Sequence, residues 1–324
     1  MTLGRREFLH VSACAIAAAV ARTAWALDYP MRPVRVVVGF TAGGGTDLLA
    51  RLMGQWLTKR LGQPFVIENK PGAGGNLGTE AVVRAPPDGY TLLFANTNNA
   101  INATLFKKLN FNFMRDTAAV ASIIRFPNVM VVHPAVPAKN VPEFIAYAKA
   151  NPGKINMASA GNGGAPHVAG ELFKMMTGVD MVHVPFRGAA QAMIALIAGQ
   201  VQVMFATLPE SIAHIRAGEL RALAVTTATR SDALPELPTV ADFVPGYEAS
   251  AWQGLVAPKG TPPEIIAALN RAINTALADP QIQARFADLG GSPLPGSPAK
   301  FASLIAEETE KWAKVVKFSG AGAD

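Results

Sequence analysis

The segment Val34–Asp47 constrains the fold more than any other part of this sequence. Residues Val34–Val38 are mostly β-branched, and such a short run is typical of a buried strand in a parallel sheet. From Asp47 onward the apolar residues recur three and four positions apart, as on one face of a helix, and Gly62 is placed to end that helix. A strand, a turn and a helix in direct succession indicate an α/β fold.

The turn between this strand and helix contains three consecutive glycines, Gly43–Gly45. Glycine lets main-chain amides approach a ligand closely, and the start of the following helix adds unpaired N–H groups and partial positive charge, so the turn is suited to bind an anion. It is not a nucleotide loop, because Gly45 occupies the place of the phosphate-binding lysine and no G-x-G-x-x-G pattern is present. A turn that only packs strand against helix remains an alternative.

The same order of elements recurs along the chain. Strands predicted over 64–69 and 90–95 lead to a polar cluster, Asn96–Asn99, at a strand's carboxyl end. A strand over 154–158, a second glycine-rich turn and a helix over 167–177 then repeat the opening unit. Ligands of parallel sheets bind beyond the carboxyl ends of the strands. Two such turns, one in each half, therefore predict two α/β lobes that close on an anion.

The carboxyl-terminal part of the chain predicts where the lobes divide. It is mostly helical, with patterns over 262–277, 281–289 and 298–318, and helices alone cannot complete a lobe, so this tail should pack on the first lobe. The chain would then cross between lobes twice, near 127–133 and 247–257. We expect each lobe to be a mostly parallel sheet flanked by helices, with two crossover strands as the hinge: lobe 1 comprises 27–129 and 250–324, and lobe 2 comprises 130–249.

The first 26 residues have the features of an export signal. Arg5 and Arg6 precede an alanine-rich apolar run that is too short to span a membrane, and Ala24-Trp25-Ala26 resembles a cleavage site. We expect a twin-arginine-like signal peptide, residues 1–26, cleaved after Ala26, and a periplasmic protein; Sec export remains an alternative. A lipoprotein signal ending at Cys14 is disfavoured, because too little apolar sequence precedes that cysteine.

Composition argues against several classes of function. Without the leader the chain has 26 basic and 22 acidic residues, and they form no basic stripe of the kind that nucleic acid requires. The four remaining histidines, His133, His167, His183 and His214, are not spaced as metal ligands, and Ser159 lacks the G-x-S-x-G pattern of a nucleophile. We expect no nucleic-acid partner, no metal, no cofactor and no catalytic residue.

Three side chains near the predicted turns each have a structural and a functional interpretation, and Ser159 has a functional one. Asp47 either complements the helix dipole or orients the glycine turn or a bound water. His167 either contacts a ligand or caps its helix. Arg187 is either an anion contact at a strand end or a solvated charge at the rim, and Ser159 is a hydroxyl donor at a strand end.

Several short segments, in order along almost the whole mature chain, form a joint pattern. They are Pro30-Met31-Arg32-Pro33, Ala42-Gly43-Gly44-Gly45-Thr46-Asp47, Asn69-Lys70-Pro71-Gly72-Ala73-Gly74-Gly75-Asn76, Pro87-Asp88-Gly89-Tyr90, Gly164-Ala165-Pro166-His167, Val182-His183-Val184-Pro185-Phe186-Arg187-Gly188, Leu237-Pro238-Thr239-Val240 and Gly254-Leu255-Val256-Ala257-Pro258. None is diagnostic alone. Together they resemble the Bug family, the TctC-like solute receptors of tripartite tricarboxylate transport systems.

The resemblance implies a type II-like periplasmic binding protein that holds a small carboxylate between its lobes, through backbone groups and waters of the turns. Carried onto this chain, the first-lobe contacts are Phe40, Thr41, Ala42, Gly43, Gly44, Gly45, Thr46, Asp47, Thr97 and Asn98. The second-lobe contacts are Ser159, Gly161, Asn162, Gly163, Ala165, His167, Phe205 and Ala206, with Arg187 as a further candidate. The family often has aspartate where this chain has Ala206, so we expect a less acidic wall and a ligand with an uncharged or aromatic distal end.

We therefore expect an exported, monomeric receptor and no enzyme. Its ligand would be a small organic carboxylate, either an aliphatic di- or tricarboxylate or an aromatic acid. The receptor would deliver this ligand to the membrane subunits of a tripartite transporter. Two alternatives remain: a ligand-sensing module for a membrane sensor kinase, and a periplasmic enzyme on the same fold.

Overall fold

The computed structural model describes residues 29–323. The predicted signal peptide, residues 1–26, lies outside the described residues. Within the described range, no helix combines the length and the apolar character needed to cross a membrane.

The strands match the predicted pattern of short, buried, β-branched runs. In chain order they are β1 (Val34–Val38), β2 (Phe65–Asn69), β3 (Thr91–Asn96), β4 (Thr117–Phe126), β5 (Asn128–Val132), β6 (Ile155–Ser159), β7 (Met181–Pro185), β8 (Val203–Thr207), β9 (Arg221–Val225), β10 (Ala251–Pro258) and β11 (Ser292–Pro293). Three of the four valines of β1 have no accessible surface and Val36 is 2% exposed, as expected for a strand that is covered on both faces.

The α-helices follow the strands and cover the two sheets. They are α1 (Gly45–Leu61), α2 (Asn76–Val83), α3 (Thr97–Leu105), α4 (Phe113–Asp116), α5 (Val141–Ala150), α6 (Ala165–Thr177), α7 (Ala189–Ile197), α8 (Leu208–Arg216), α9 (Pro263–Leu277), α10 (Pro280–Asp288) and α11 (Pro298–Ser319). Helices α1 and α6 end at Gly62 and Gly178, both in the left-handed conformation, with φ of 75° and 69°. This is the C-terminal signal that glycine provides.

The strands form two sheets, ordered β11-β4-β10-β3-β1-β2 and β7-β6-β8-β5-β9. In the first sheet β1 pairs in parallel with β2 and β3, and in the second β6 pairs in parallel with β7 and β8. The remaining pairs, formed by β4, β5, β9, β10 and β11, are antiparallel. The sheets are therefore mixed rather than mostly parallel, because the strands that lead into and out of the second sheet run against the parallel core.

The chain passes between the two sheets at two adjacent places. It leaves the first sheet at Pro127, between β4 and β5, and returns just before β10. Buried hydrogen bonds join these two places: the Asn128 N–H donates to Thr226 Oγ1 over 2.9 Å, and Asn128 Nδ2 donates to the Ala249 carbonyl over 3.0 Å. The residue boundaries of the lobes remain a prediction.

The carboxyl-terminal helices pack mainly on the first sheet, as the sequence predicts for the tail. Helix α9 contacts β4 and α1, and α11 contacts α3 and β4. The side chains of Phe301 and Trp312 on α11 are 0% and 1% exposed. Helix α11 also contacts α6, so the tail touches an element of the second sheet as well.

Several elements were not predicted, among them α3, β4 and α8. The polar cluster Asn96–Asn99 lies at the carboxyl end of β3, as predicted, and it also begins α3, which was not predicted. The Asn96 side chain caps α3 by accepting a hydrogen bond from the Asn98 N–H over 3.0 Å. In turn, Asn99 Oδ1 accepts a hydrogen bond from the Asn96 N–H over 2.9 Å. This reciprocal capping explains why an asparagine-rich segment is helical.

Candidate ligand-binding cleft

A cavity of about 620 Å³ lies between the two glycine-rich turns. One wall comes from the turn before α1 and from α3, and the other comes from the turn before α6 and from the start of α8. Across the cleft, the backbone of Gly163 packs directly against the Leu105 side chain. The two halves of the chain thus enclose one common space.

The structure brings about half of the predicted site residues together around this cavity. Those that line it are Phe40, Thr41, Gly44, Gly45, Thr46, Asn98, Gly161, Asn162, Gly163 and Ala165. Both predicted turns are represented, which fits the expectation that turns from the two lobes face each other.

The other predicted residues do not line the cavity. Ala42 and Gly43 form the exposed tip of the first turn, and Arg187 is exposed outside the cavity. Phe205 and Ala206 have no accessible surface, because β8 is covered on both faces up to its last residue. Asp47, Thr97, Ser159 and His167 are buried behind the walls.

Asp47 holds the first turn from behind. Its carboxylate accepts hydrogen bonds from the Gly43 N–H, from Asn69 Nδ2 and from Arg51 Nε, each over 2.9 Å. Burial raises the pKa of Asp47, but the bonds from Arg51, Gly43 and Asn69 outweigh this effect and hold the pKa below its ordinary value. The geometry therefore favours the interpretation in which Asp47 orients the glycine turn.

A histidine pair supports the second turn in the same way. His167 Nδ1 accepts a hydrogen bond from the Gly163 N–H over 3.0 Å, and the ring stacks on His183 with 3.7 Å between the ring centroids. His183 Nε2 lies 2.6 Å from Ser159 Oγ, which also accepts a bond from the Gly161 N–H over 3.2 Å. Ser159 and His167 are thus bonded to the backbone of the turn.

Both histidines are neutral over the usual pH range. Burial, followed by the charges of His183 and Lys174, lowers the pKa of His167 to about 3. Burial, followed by the charge of Lys174, lowers the pKa of His183 to about 4. Neutral His167 keeps a free electron pair on Nδ1, and this pair is what accepts the Gly163 N–H.

Several helices begin at the cavity wall. Helices α1, α6 and α7 start after Gly44, Gly164 and Gly188, and none of these helices has a side-chain cap. The first-turn N–H groups of these helices therefore remain available to a ligand, except at Pro166 of α6, which has no N–H. Among the lining residues of the described chain there is no lysine, arginine or histidine. An anion in this cavity would be held by main-chain amides and helix dipoles.

Apart from Asn98, sequence reasoning missed the lining residues that lie in or next to α3 and α8. They include Asn96, Asn102, Leu105, Phe106, Thr207 and Glu210. The polar cluster Asn96–Asn99 was the available signal for the first group. Thr207 and Glu210 belong to no such cluster in the sequence, and the helix that carries Glu210, α8, was not predicted.

Glu210 corrects the expectation of a less acidic wall near Ala206. The Ala206 side chain is buried, whereas the Glu210 side chain opens into the cavity and is the one acidic residue among the described lining residues. The surrounding walls desolvate the carboxyl and raise the pKa of Glu210, and this effect outweighs the neighbouring Thr207, which lowers the pKa.

Comparison with known proteins gives consistent matches. The family model described as "Tripartite tricarboxylate transporter family receptor" (TctC) matches residues 49–320. Protein BugT of Bordetella pertussis is 36% identical over 307 residues, which cover 94% of each chain. The structure of R. palustris Rpa4515 with adipate is 37% identical, covers 91% of this chain and 99% of that one, and has a TM-score of 0.79. MatC from Rhodopseudomonas palustris with bound malate is 35% identical, with 89% and 100% coverage and a TM-score of 0.76.

Proposed function

The chain belongs to the TctC, or Bug, family of tripartite tricarboxylate transporter receptors, and on this basis we propose that it captures a small organic carboxylate in the cleft. Members of this family are solute receptors. Two similar proteins were solved with adipate and with malate, which are both carboxylates.

The observation that carries the proposal is the set of uncapped helix starts at the cavity wall. Helices α1, α6 and α7 present main-chain N–H groups to one space that no basic side chain of the described residues lines. Hydrogen bonds to a charged acceptor contribute roughly 1.5–3 kcal/mol each. Three or four such bonds are of the size that micromolar binding requires, about −8 kcal/mol.

Closure of the two lobes would follow from this arrangement. A carboxylate that accepts bonds from α1 on one side and from α6 on the other stabilises the closed form and shifts the population toward it. The adjacent crossovers at Pro127 and before β10 are the natural hinge. We take lobe 1 as 27–129 with 250–324 and lobe 2 as 130–249.

Delivery to a membrane transporter is the second part of the proposal. We propose that residues 1–26 direct export and are removed after Ala26, and that the closed receptor docks on tripartite transporter subunits in the periplasm. A sensor kinase would use the same closed form. Pull-down of membrane proteins with and without ligand separates the two partners.

Replacing Gly45 with proline tests the main-chain mechanism directly. Gly45 is the first residue of α1, a position where proline fits and where the N–H has no helical partner. The preceding residue, Gly44, has φ −77° and ψ 166°, which is compatible with a following proline. A Cβ at Gly45 meets nothing within 4 Å, so Gly45→Ala is a matched control that keeps the N–H.

The measurement is calorimetric titration of both variants with adipate and malate. We expect Gly45→Pro to bind the acid roughly 10- to 100-fold more weakly than Gly45→Ala, the loss of one hydrogen bond to a charged acceptor. Thermal unfolding should show that both variants remain folded. Equal affinities of the two variants would rule out the Gly45 amide as a ligand contact.

A further inference from the structure

A second chamber of about 280 Å³ opens from the main cavity. The two spaces share Gly45, Thr46, Thr207 and Glu210 as walls. A ligand whose carboxylate lies at the start of α1 would therefore have the mouth of the chamber beside it. The chamber lies on the hinge side of the cleft, next to the end of β4 and the start of β10.

The walls of this chamber are largely apolar. Leu49, Phe126 and Leu289 line it, and Leu49 and Phe126 are 1% and 7% exposed. Such walls favour methylene groups or a ring over a charged group, because transfer of apolar surface out of water is favourable. The chamber is thus suited to the tail of a ligand rather than to its carboxylate.

One polar side chain of the chamber has an unused hydrogen-bonding atom. This residue is Gln253, which lines the chamber and is 8% exposed. Its Nε2 donates a long hydrogen bond of 3.3 Å to Thr46 Oγ1. Its buried Oε1 has no hydrogen-bond partner within residues 29–323. A buried carbonyl oxygen without a partner is costly, by about 1–3 kcal/mol. The terminal torsion of glutamine rotates readily, so this amide can turn toward a donor in the chamber.

The charge at the mouth of the chamber disfavours a second carboxylate. Glu210 is the one charged side chain among the described residues that line either space. The first carboxylate meets the amides at the helix starts, whereas a distal carboxylate would lie between Glu210 and the apolar walls with no cation beside it, and like charges at a shared site repel each other. A neutral hydroxyl meets no such penalty and can donate to Gln253.

We propose that this chamber is the subsite for the distal end of the ligand, and that it takes the apolar tail of a monocarboxylate ending in a hydroxyl group. The hydroxyl donates to the Gln253 side chain while the carboxylate stays at the glycine turns. This inference rests on the proposed function, because it places the carboxylate in the main cavity.

The test compares three six-carbon acids that differ only at the distal end: hexanoate, 6-hydroxyhexanoate and adipate. Calorimetric titration at pH 7.5 should give 6-hydroxyhexanoate about tenfold higher affinity than hexanoate, the effect of one added hydrogen bond. Adipate should bind about tenfold more weakly than 6-hydroxyhexanoate, because its second carboxylate faces Glu210.

Two variants assign these preferences to their residues. Gln253→Leu should lower the affinity ratio of 6-hydroxyhexanoate to hexanoate about tenfold. Glu210→Gln should raise the ratio of adipate to hexanoate about tenfold, since the amide removes the charge and keeps nearly the same size and shape. Glu236→Gln, an exposed residue outside both spaces, is the charge-matched control and should change neither ratio.

The possible outcomes separate the two proposals. If the hydroxy acid is preferred and both variants shift their ratios as stated, the distal subsite is supported. If adipate binds as tightly as 6-hydroxyhexanoate, or the variants leave the ratios unchanged, the subsite is overturned while carboxylate capture stands. If no acid of this series, malate or a panel of aromatic acids binds, the proposed function fails together with the inference.

Discussion

Acidification from pH 7 to pH 5 should destabilise this protein through the histidine pair beneath the second turn. The pKa values of His167 and His183 in the folded state are about 3 and about 4, whereas an unperturbed histidine has a pKa near 6.5. Between these values the unfolded chain binds protons that the folded chain does not. Stability is therefore lost as the pH falls below about 6.5.

The expected size follows from the same pKa values. A fall from pH 6.5 to 5 costs about 1.4 kcal/mol per unit for each histidine, or about 2 kcal/mol for buried His167. His183 is partly accessible and adds less, so the pair contributes roughly 2–4 kcal/mol. The pKa values of Glu171 and Glu210 are raised by burial, and His133 and His214 are also present, so a variant that lacks the pair is needed as the comparison.

Urea unfolding at pH 7 and pH 5 measures this loss. The comparison protein is the double variant His167→Asn, His183→Asn, in which the introduced amide oxygen at position 167 replaces the histidine Nδ1 as the acceptor for the Gly163 N–H. Lys174 and Glu171, the charged groups beside the pair, are present in both proteins. If the original and the double variant lose the same free energy of unfolding, the argument from buried neutral histidines is wrong.

Two further substitutions test how the turns and the crossovers are held. Gly39→Ala should lower the free energy of unfolding by about 1–3 kcal/mol, because its Cβ would lie 2.8 Å from the Gly75 Cα; urea unfolding checks this against Gly45→Ala, where the space is open, and equal stability would contradict it. Thr226→Val should cost about 1–3 kcal/mol in the same assay, because it leaves the buried Asn128 N–H without an acceptor. Thr226→Ser keeps the hydroxyl and should restore most of the loss.

The two-lobed α/β fold could be predicted because its signals are local. The valines of β1, the apolar spacing of α1 and the glycines that end α1 and α6 each specify one element without reference to the rest of the chain. The prediction of a Bug-family receptor is confirmed by the family match. The antiparallel pairing of β4 and β10 could not be predicted from local signals, since it depends on where the chain returns from the second sheet.

The cleft could be predicted only in part, for a related reason. The glycine turns are visible in the sequence, and most of their residues line the cavity. Asn102 and Leu105 reach the same cavity through the helical turns of α3, and Glu210 does so through the first turn of α8. A helix that is not recognised gives no basis for placing its side chains. The ligand contacts themselves remain a prediction.

The lack of a basic residue among the described cavity walls has a consequence for how such receptors diversify. In the proposed mode of binding, peptide groups recognise the acid group. Peptide groups are the same in every sequence and do not titrate, so this recognition would not depend on any particular side chain at the wall. Substitutions elsewhere in the cleft can then alter which molecule fits, while binding of its acid group is retained. Many receptors with different cargoes can thereby arise from one ancestral scaffold, provided that the residues at the turns stay small.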